Sequence, residues 1–266
     1  METNKTFTLI TGGTSGIGYE LARIFAKNGS NLVIVARDQA ELDTTAAELK
    51  QSGVEVITIA RDLFNAESAF ELFDEVKTKN IQVDTLVNNA GQGQYGEFAE
   101  TDIWRELSII QLNISSLVIL TKAFLQDMLE RGEGKILNVS SVASKAPGPL
   151  QSVYHGTKAF VQSFTEAVRN EVKDKGITVT ALLPGATDTD FFNKADMLDA
   201  KVVQDGKLAD PAKVAQDGYD ALMRGDDMVI SGFMNKVQVA MSNILPDSMV
   251  AAQVHKQQRP VSDDKK

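Results

Sequence analysis

The sequence predicts an α/β fold, in which a parallel sheet carries helices on both faces. Short apolar runs rich in β-branched residues alternate along the chain with segments of helical periodicity. This alternation is typical of a parallel sheet buried on both sides. The chain has 266 residues, 43% hydrophobic and 24% charged, which suits one large domain with a full core. We therefore predict a single domain over residues 1–255.

Six apolar runs are predicted to be strands. They are TFTLI (6–10), NLVIVA (31–36), VEVITIA (54–60), VDTLVN (83–88), KILNVS (135–140) and ITVTALL (177–183). The helix predicted after the second strand begins with the spacing of a capping box, Asp38 and Glu41, and ends near Gly53. Two long helices are predicted at 101–131 and 152–175.

Beyond Pro184 the alternation becomes less regular. A helix is predicted in DPAKVAQDGYDALMRG (210–225), with Asp as its cap and Pro in its first position. Segment 228–250 is predicted to be a last strand followed by an amphipathic helix. Core packing, a subunit contact and a membrane surface are the alternatives for that helix, and packing on the core or a subunit is favoured. Residues 256–266 are polar, so we expect them to form a mobile tail.

Charge and composition exclude several classes of function. The net charge of −9 argues against nucleic-acid binding by bulk electrostatics. The chain has no cysteine and only two histidines, His155 and His255. Disulfides, thiol nucleophiles and a histidine-rich metal centre are therefore excluded, and we expect no metal site. His155 is expected to be structural and His255 to be exposed.

No membrane span is expected, because no run of about 18 uncharged apolar residues occurs. The opening stretch METNKTFTLI is too polar for a secretory signal peptide. A cytoplasmic location is therefore the default expectation.

A glycine-rich stretch, TGGTSGIG (11–18), lies between the first strand and the helix that follows it. Glycines there allow a tight turn and a close approach to a pyrophosphate, which sits at the helix N-terminus. A phosphate-binding P-loop would need Lys after its last glycine, where this chain has Tyr19. A dinucleotide site is therefore preferred to a P-loop or a turn without ligand. Its candidate residues are Gly12, Thr14, Ser15, Gly16, Ile17 and Gly18.

The end of the second strand, IVARD, bears on the choice of cofactor. An acidic residue at this point would bind a ribose 2′-OH, whereas a basic one would accept a 2′-phosphate. Arg37 occupies this position, and Asp38 is better explained as the cap of the next helix. NADP is therefore favoured over NAD, and an ordinary solvated arginine is the alternative.

Polar motifs also follow three later strands. They are NNAG (88–91), NVSS ending at Ser141, and LLPGATDTD (182–190). In YHGTK, Tyr154 and Lys158 are four residues apart, so a helix would place them on one face. Because ligands bind outside the carboxyl ends of parallel strands, these motifs are expected to meet at one site. Ser140 and Ser141 compete for the role of a serine that acts beside Tyr154.

In this order and spacing, TGGTSGIG, NNAG, Asn113, Ser141, YHGTK and PGATDT resemble the short-chain dehydrogenase/reductase family over about residues 5–190. The resemblance implies a seven-stranded, doubly wound Rossmann sheet and nicotinamide-dependent oxidoreduction. It favours Ser141 over Ser140 and implies a catalytic tetrad of Asn113, Ser141, Tyr154 and Lys158. It adds cofactor contacts at Asp62, Leu63, Asn89, Ala90, Gly91, Pro184, Gly185, Thr187 and Thr189, besides Tyr154 and Lys158.

The resemblance also implies a mobile substrate lid over about residues 188–225 and a homotetramer or homodimer built on the two long helices. Candidates for an apolar substrate pocket, with ordinary packing as the alternative for each, are Phe191, Phe192, Met197, Leu198, Gln92, Gln94 and Tyr95.

The tetrad residues are suited to carbonyl reduction. A free tyrosine has a pKa near 10, and an adjacent ammonium is expected to lower it, which would make Tyr154 a usable general acid. The resemblance gives Ser141 a hydrogen bond to the same oxygen, Lys158 a contact with the nicotinamide ribose, and Asn113 a place in a proton relay.

We therefore predict an NADPH-dependent reduction of a small-molecule ketone or aldehyde. An NAD-dependent alcohol dehydrogenase and a catalytically idle NADP-binding scaffold or sensor are the alternatives. The complete tetrad argues against the scaffold.

Overall fold

The computed structural model describes residues 5–242 and 244–262. Its strands are β1 (Thr6–Thr11), β2 (Asn31–Ala36), β3 (Val56–Ala60), β4 (Gln82–Asn88), β5 (Gly134–Val139), β6 (Ile177–Leu183) and β7 (Met228–Ile230). They form one sheet in the order β3-β2-β1-β4-β5-β6-β7. Every pairing is parallel. The predicted doubly wound, seven-stranded sheet in a single domain is confirmed, and the order reverses between β1 and β4, where such sheets bind ligands.

Eleven helices accompany the strands in the described residues. They are α1 (Gly16–Lys27), α2 (Gln39–Leu49), α3 (Ser68–Thr78), α4 (Ile103–Ile110), α5 (Leu117–Arg131), α6 (Ser152–Val172), α7 (Phe191–Lys194), α8 (Lys201–Gln204), α9 (Pro211–Arg224), α10 (Phe233–Ser242) and α11 (Asp247–Gln258). Short 3-10 turns span Lys50–Ser52 and Val142–Lys145. Asp38 caps α2 as predicted, since its carboxylate accepts from the amides of Ala40 and Glu41 at 2.8 and 3.0 Å.

The core lies on both faces of the sheet. Helices α3, α5 and α6 cover one face, where the buried side chains include Leu72, Phe124 and Val172. Helices α1, α2 and α9 cover the other. Helix α9 was expected to belong to the lid, and this is wrong: Val214 and Leu222 are buried in the core beside α1. The apolar face of α9 fixes it to the sheet, so the segment available to act as a lid ends before Pro211.

Helices α4 and α5 form one continuous rod, Ile103–Arg131, as predicted for 101–131. A π-helical turn, Gln111–Ser116, joins them. The rod has 29 residues and meets the length and apolar composition of a membrane span, although 44% of its apolar window is buried in the protein. Its buried side chains, including Leu120 and Met128, pack with those beneath the sheet. A core helix satisfies the same criterion, so the rod is explained by core packing.

The C-terminal segment folds back over the carboxyl end of the sheet. The mobile tail expected from residue 256 is wrong for the described residues: α11 continues to Gln258, which is 7% exposed. The amide of Val261 then donates to the carbonyl of Asp199 at 2.9 Å. This polar sequence is held by partners distant in the chain. Residues 263–266 lie outside the described residues, and His255 is exposed as expected.

Candidate active site

An open cleft of ≈ 1550 Å³ runs along the carboxyl ends of the strands. All the predicted site residues line it except Gly18 and Asn113, which lie behind its wall. Of the proposed substrate-pocket residues, Gln92, Phe191, Phe192 and Met197 line the cleft, whereas Gln94, Tyr95 and Leu198 do not. The structure thus brings together strand ends that are far apart in the sequence, as expected for a parallel sheet.

The glycine-rich turn forms the floor at the end of β1. Gly12 has φ 65°, a left-handed conformation that glycine adopts without steric cost. A Cβ on Gly18 would lie 2.2 Å from the carbonyl oxygen of Gly12, so only glycine allows this closeness of helix and loop. Helix α1 begins here with Ser15 at its N-cap position, and because the Ser15 side chain makes no capping hydrogen bond, the first amides of the helix are free for a ligand. The turn therefore fits the pyrophosphate of a dinucleotide.

The NNAG turn after β4 is fixed directly to this loop. The side-chain amide of Asn89 donates to the carbonyls of Thr11 and Gly12 at 3.0 and 3.1 Å. In return, the hydroxyl of Thr11 accepts from the backbone amides of Asn89 and Ala90 at 3.1 and 3.0 Å. Asn89 thus sets the shape of the glycine-rich loop as well as lining the cleft.

The end of β2 presents a guanidinium at the mouth of the cleft. Arg37 is exposed, and its guanidinium carbon lies 5.3 Å from the ring centroid of Phe64. No carboxylate in the described part of the chain forms an ion pair with it. By contrast, Arg61 is paired with Glu75 at 2.8 Å. Arg37 is therefore the arginine that can meet an anionic group at this end.

Asp62 and Leu63 line the same end of the cleft. The Asp62 carboxylate is exposed and accepts from the amide of Phe64 at 3.2 Å, while Leu63 is buried. Thr14 lies across from them and donates to Glu41 at 3.0 Å.

Asn113 sits in the π-helical turn between α4 and α5, behind the cleft. Its amide nitrogen donates to the carbonyl of Gln92 and the hydroxyl of Thr157 at 2.8 and 3.0 Å, and its oxygen accepts from the amide of Gln92 at 3.0 Å. Turns of this kind are frequent at functional sites. Asn113 therefore joins the loop that follows Gly91 to α6, the helix that carries Tyr154.

The structure separates the two competing serines. The hydroxyl of Ser140 is 2% exposed and donates to the carbonyl of Lys158 at 2.8 Å. The hydroxyl of Ser141 accepts from the amide of Ala143 at 3.1 Å and also bonds the side chain of Tyr154. Ser141 is thus the serine in contact with the phenol.

Tyr154 and Lys158 occupy the first turns of α6, as predicted. Burial raises the pKa of Tyr154 to about 12, although its bond to Ser141 opposes the shift. Burial lowers the pKa of Lys158 to about 8. The ammonium donates to the carbonyl of Val139 at 2.8 Å and lies 5.8 Å from the Tyr154 ring centroid. The expectation that Lys158 lowers the pKa of Tyr154 is therefore wrong for this structure, because loss of hydration outweighs the distant charge.

The segment after β6 closes the cleft on the other side. Pro184, Gly185, Thr187 and Thr189 line the cleft in succession. The Thr187 hydroxyl donates to the carbonyl of Gly185 at 2.9 Å, and Thr189 packs against Gly16 of the glycine-rich turn. In α7, the ring of Phe191 lies 5.1 Å from that of Tyr154.

Gln258, the last residue of α11, is a site residue that the sequence reasoning missed. His155 Nδ1 donates to the carbonyl of Ala146 at 2.8 Å, and burial lowers the pKa of His155, which keeps the ring neutral. Its Nε2 must then accept from the amide of Gln258, 3.1 Å away. The same amide reaches Gln151 at 3.4 Å. No local pattern in the sequence marks Gln258 for this position.

A buried amide chain beneath the site was also missed. Asn88 donates to Asn138 and Thr121, both at 2.9 Å, and Asn138 donates to Thr165 at 2.9 Å. These bonds tie β4 and β5 to α5 and α6. Asn138 in the middle of an apolar strand was the available signal, since a buried amide needs partners.

This sheet, with its glycine-rich turn and its tyrosine and lysine on one helix, defines a nicotinamide-dependent oxidoreductase. The model of the short chain dehydrogenase family matches residues 6–198, and the chain belongs to that family.

Two curated relatives and one solved structure illustrate the similarity. The very-long-chain 3-oxoacyl-CoA reductase of Rattus norvegicus is 37% identical over 185 residues, which cover 67% of this chain and 58% of that protein. The chain thus spans less than two thirds of that relative. The ketoacyl reductase HetN of Nostoc sp. is 30% identical over 256 residues, covering 93% of this chain and 87% of HetN. A short-chain dehydrogenase from Sphingobium yanoikuyae in complex with NADPH has a TM-score of 0.81 at 30% identity and covers 90% and 94% of the two chains.

Proposed function

We propose that this enzyme uses NADPH to reduce a small-molecule ketone to an alcohol, with aldehydes as a second substrate class. The observation that carries the proposal is the phenol of Tyr154, bonded to Ser141 in the same cleft as the glycine-rich turn. A carbonyl oxygen placed there meets two hydroxyl groups that can both donate to it.

The chain's own residues then act on the oxygen. With a pKa of about 12, Tyr154 is protonated at neutral pH and donates its proton to the carbonyl oxygen. Ser141 donates a hydrogen bond to the same oxygen as negative charge develops on it. Lys158 lines the same cleft, with its ammonium 5.8 Å from the Tyr154 ring centroid, where it can donate to the nicotinamide ribose of the cofactor. Bound NADPH supplies the hydride that the carbonyl carbon accepts.

The same tyrosine serves both directions of the reaction, because the acid of carbonyl reduction is the base of alcohol oxidation. The turnover screen described below therefore distinguishes reduction from the alternative of an alcohol dehydrogenase.

The choice of NADPH rests on Arg37. Its guanidinium is exposed at the cleft mouth and has no carboxylate partner in the described residues, so it can bind a 2′-phosphate. Ala36 leaves no carboxylate where a ribose-binding acid would stand. The NADPH named for the Sphingobium relative supports this choice.

A ketone is favoured as the substrate because both curated relatives are named as reductases of oxoacyl or ketoacyl compounds. The carbonyl they reduce lies on a carbon chain, and the side chains near Tyr154 include Phe191, Phe192 and Met197. An apolar group beside the carbonyl would therefore have aromatic and thioether neighbours.

The proposal includes a homodimer or homotetramer in the cytoplasm. Support for self-association comes from exposed apolar side chains on the two long helices, namely Ile103 at 53%, Trp104 at 76% and Phe160 at 41%, since such surfaces mark contact sites. Light scattering that shows only a 28.9 kDa species would contradict the oligomer, and cell fractionation tests the location.

The test of the function is a turnover screen. Purified protein is mixed with NADPH, and separately with NADH, against a panel of ketones and aldehydes, and consumption of the reduced cofactor is followed. We expect ketone-dependent consumption of NADPH that Tyr154→Phe abolishes. Cofactor binding without turnover of any carbonyl would instead support the idle scaffold. Faster reaction of alcohols with NAD than of ketones with NADPH would support the alcohol dehydrogenase.

A further inference from the structure

A second cavity of ≈ 260 Å³ lies between α10, α11 and the turn at Val142–Lys145. We call it the side pocket. Its volume is just below the range of about 300–1,000 Å³ that is usual for whole ligand sites. It is therefore large enough for part of a ligand, and too small for a cofactor.

The side pocket adjoins the active-site cleft. Six residues line both cavities and lie at the boundary between them. They are Val142, Ala146, Met234, Gln238, Val254 and Gln257. The carbonyl of Ala146 also holds His155, the neighbour of Tyr154. A group attached to a carbonyl carbon at Tyr154 thus has a path past Ala146 into the side pocket.

The lining of the side pocket is apolar and uncharged. Nine of its thirteen lining residues are apolar, and the other four are glutamine or serine. A carboxylate or phosphate would find no cation among these residues and would lose its hydration. Methionine contributes Met234 and Met241, whose flexible side chains adapt to groups of varied shape. The lining therefore favours a hydrocarbon chain or a bulky apolar group.

We propose that the side pocket binds the apolar tail of the substrate, so that the enzyme prefers ketones with long alkyl chains. This inference rests on the proposed reduction of a ketone at Tyr154. Helix α10 forms one wall of the side pocket, and its Met234 and Met241 are exposed at 73% and 53%. A tail lying beneath them would cover one side of this apolar wall.

A second copy of the chain is the competing occupant of the α10 surface. Phe233, Ile244 and Met249 are also exposed, at 77%, 83% and 57%, but they do not line the side pocket. A substrate tail and a second copy of the chain would therefore contact different side chains. Substitutions that fill the pocket test for the tail, and substitutions that change only the outer surface test for the second copy.

The experiment measures the binding of 2-alkanones of increasing length, from 2-butanone to 2-undecanone, to protein saturated with NADP. The oxidised cofactor cannot give a hydride to a ketone, so binding is measured without turnover. In wild type we expect the dissociation constant to fall about three- to fourfold per added methylene until the pocket is full. Leu245→Trp and Met241→Trp fill the pocket from different positions, so in these variants the dissociation constant should depend little on chain length. Met249→Trp, on the outer face of α11, should leave the chain-length dependence as in wild type.

Two results would overturn the inference. One is a wild-type affinity that does not depend on chain length. The other is an affinity that rises steeply with chain length in wild type and equally steeply in Leu245→Trp and Met241→Trp. A change of oligomeric state in those two variants, with no change in the series, would assign the surface to a second copy instead. Melting curves and NADPH binding show whether each variant is folded. Parallel assays with NADPH separate the two proposals: chain-length-dependent binding without turnover rejects only the proposed reduction, and turnover that is indifferent to length rejects only the side-pocket proposal.

Discussion

The cofactor cleft and the C-terminal cap, which we define as residues 188–262, reach the same site by different means. In the cleft, Thr11 ends β1, Asn89 follows the neighbouring strand β4, and the two residues are hydrogen-bonded to each other. In the cap, Gln258 contacts His155 and Gln151, more than a hundred residues away in sequence. The sheet itself places the first set of residues, whereas the second depends on how whole helices pack. Substitutions in the two regions should therefore differ in kind: losses of chemistry or cofactor choice in the cleft, and losses of stability or substrate selection in the cap.

The largest expected effect is at the chemical centre of the cleft. Tyr154→Phe keeps the ring, which packs at 5.1 Å from Phe191, and removes the proton donor. We expect kcat to fall by about 10²–10⁴-fold while NADPH affinity is retained. Steady-state kinetics and a cofactor titration check this, with Tyr219→Phe, a tyrosine that packs on Phe25, as the control. Near-normal turnover in Tyr154→Phe would remove the tyrosine from the mechanism.

The buried ammonium of Lys158 should show itself in the pH dependence of stability. Its pKa falls from 10.5 in the unfolded chain to about 8 in the folded protein. Below pH 8 the lysine is charged in both states and the full cost of burying it is present. Between pH 8 and 10.5 the unfolded state binds more protons, so the stability of wild type should rise with pH relative to Lys158→Met.

Between pH 8 and 10.5, the free energy of unfolding of wild type should rise by about 3 kcal/mol relative to that of Lys158→Met. Urea unfolding of wild type and Lys158→Met across this range measures it, and Lys173→Met, at an exposed lysine, controls for loss of a positive charge. A constant difference between wild type and Lys158→Met would mean that the lysine is not buried as a cation.

The entrance of the cleft should decide cofactor choice. Hydrogen bonds to charged groups contribute about 1.5–3 kcal/mol, so wild type should bind NADPH about 10- to 150-fold more tightly than NADH. Arg37→Ala should erase much of this preference and leave NADH affinity nearly intact. Paired titrations test it, with Arg23→Ala as the control, because Arg23 is paired with Glu20 on α1. Equal affinities in wild type would show that Arg37 is only a solvated surface residue.

The smallest of these effects belongs to the cap. Gln258→Leu leaves the buried Nε2 of His155 without its donor, and an unpaired buried polar atom costs about 1–3 kcal/mol. We expect the free energy of unfolding to fall by that amount, while cofactor preference stays as in wild type. His255→Gln, at an exposed position on the same helix, serves as the control. If the two variants are equally stable, the contact between α11 and His155 does not hold the cap.

The difference between residues placed by neighbouring strands and residues placed by helix packing also explains which features the sequence predicts well. The strands, the two long helices and the cap at Asp38 follow from local periodicity and end signals. The residues at strand ends follow as well, because a parallel sheet brings its carboxyl ends to one edge. Helix α9 was misassigned to the lid because its sequence marks where a helix starts and stops and leaves its packing partner open. Gln258 was assigned to a tail for a similar reason, since its partners are far away in the chain. The pKa of Tyr154 depends on burial, which the four-residue spacing to Lys158 does not describe.

The most direct test of the central claim follows the hydride and the proton together. The protein is mixed with NADPH carrying deuterium at the transferred position and with a ketone, and the alcohol is analysed by NMR while single-turnover rates are recorded for wild type and Tyr154→Phe. We predict deuterium on the former carbonyl carbon, with a rate at least about 100-fold slower in the variant. An alcohol without deuterium at that carbon, or equal rates in the two proteins, would contradict the assignment of this enzyme as a carbonyl reductase that uses Tyr154 as its acid.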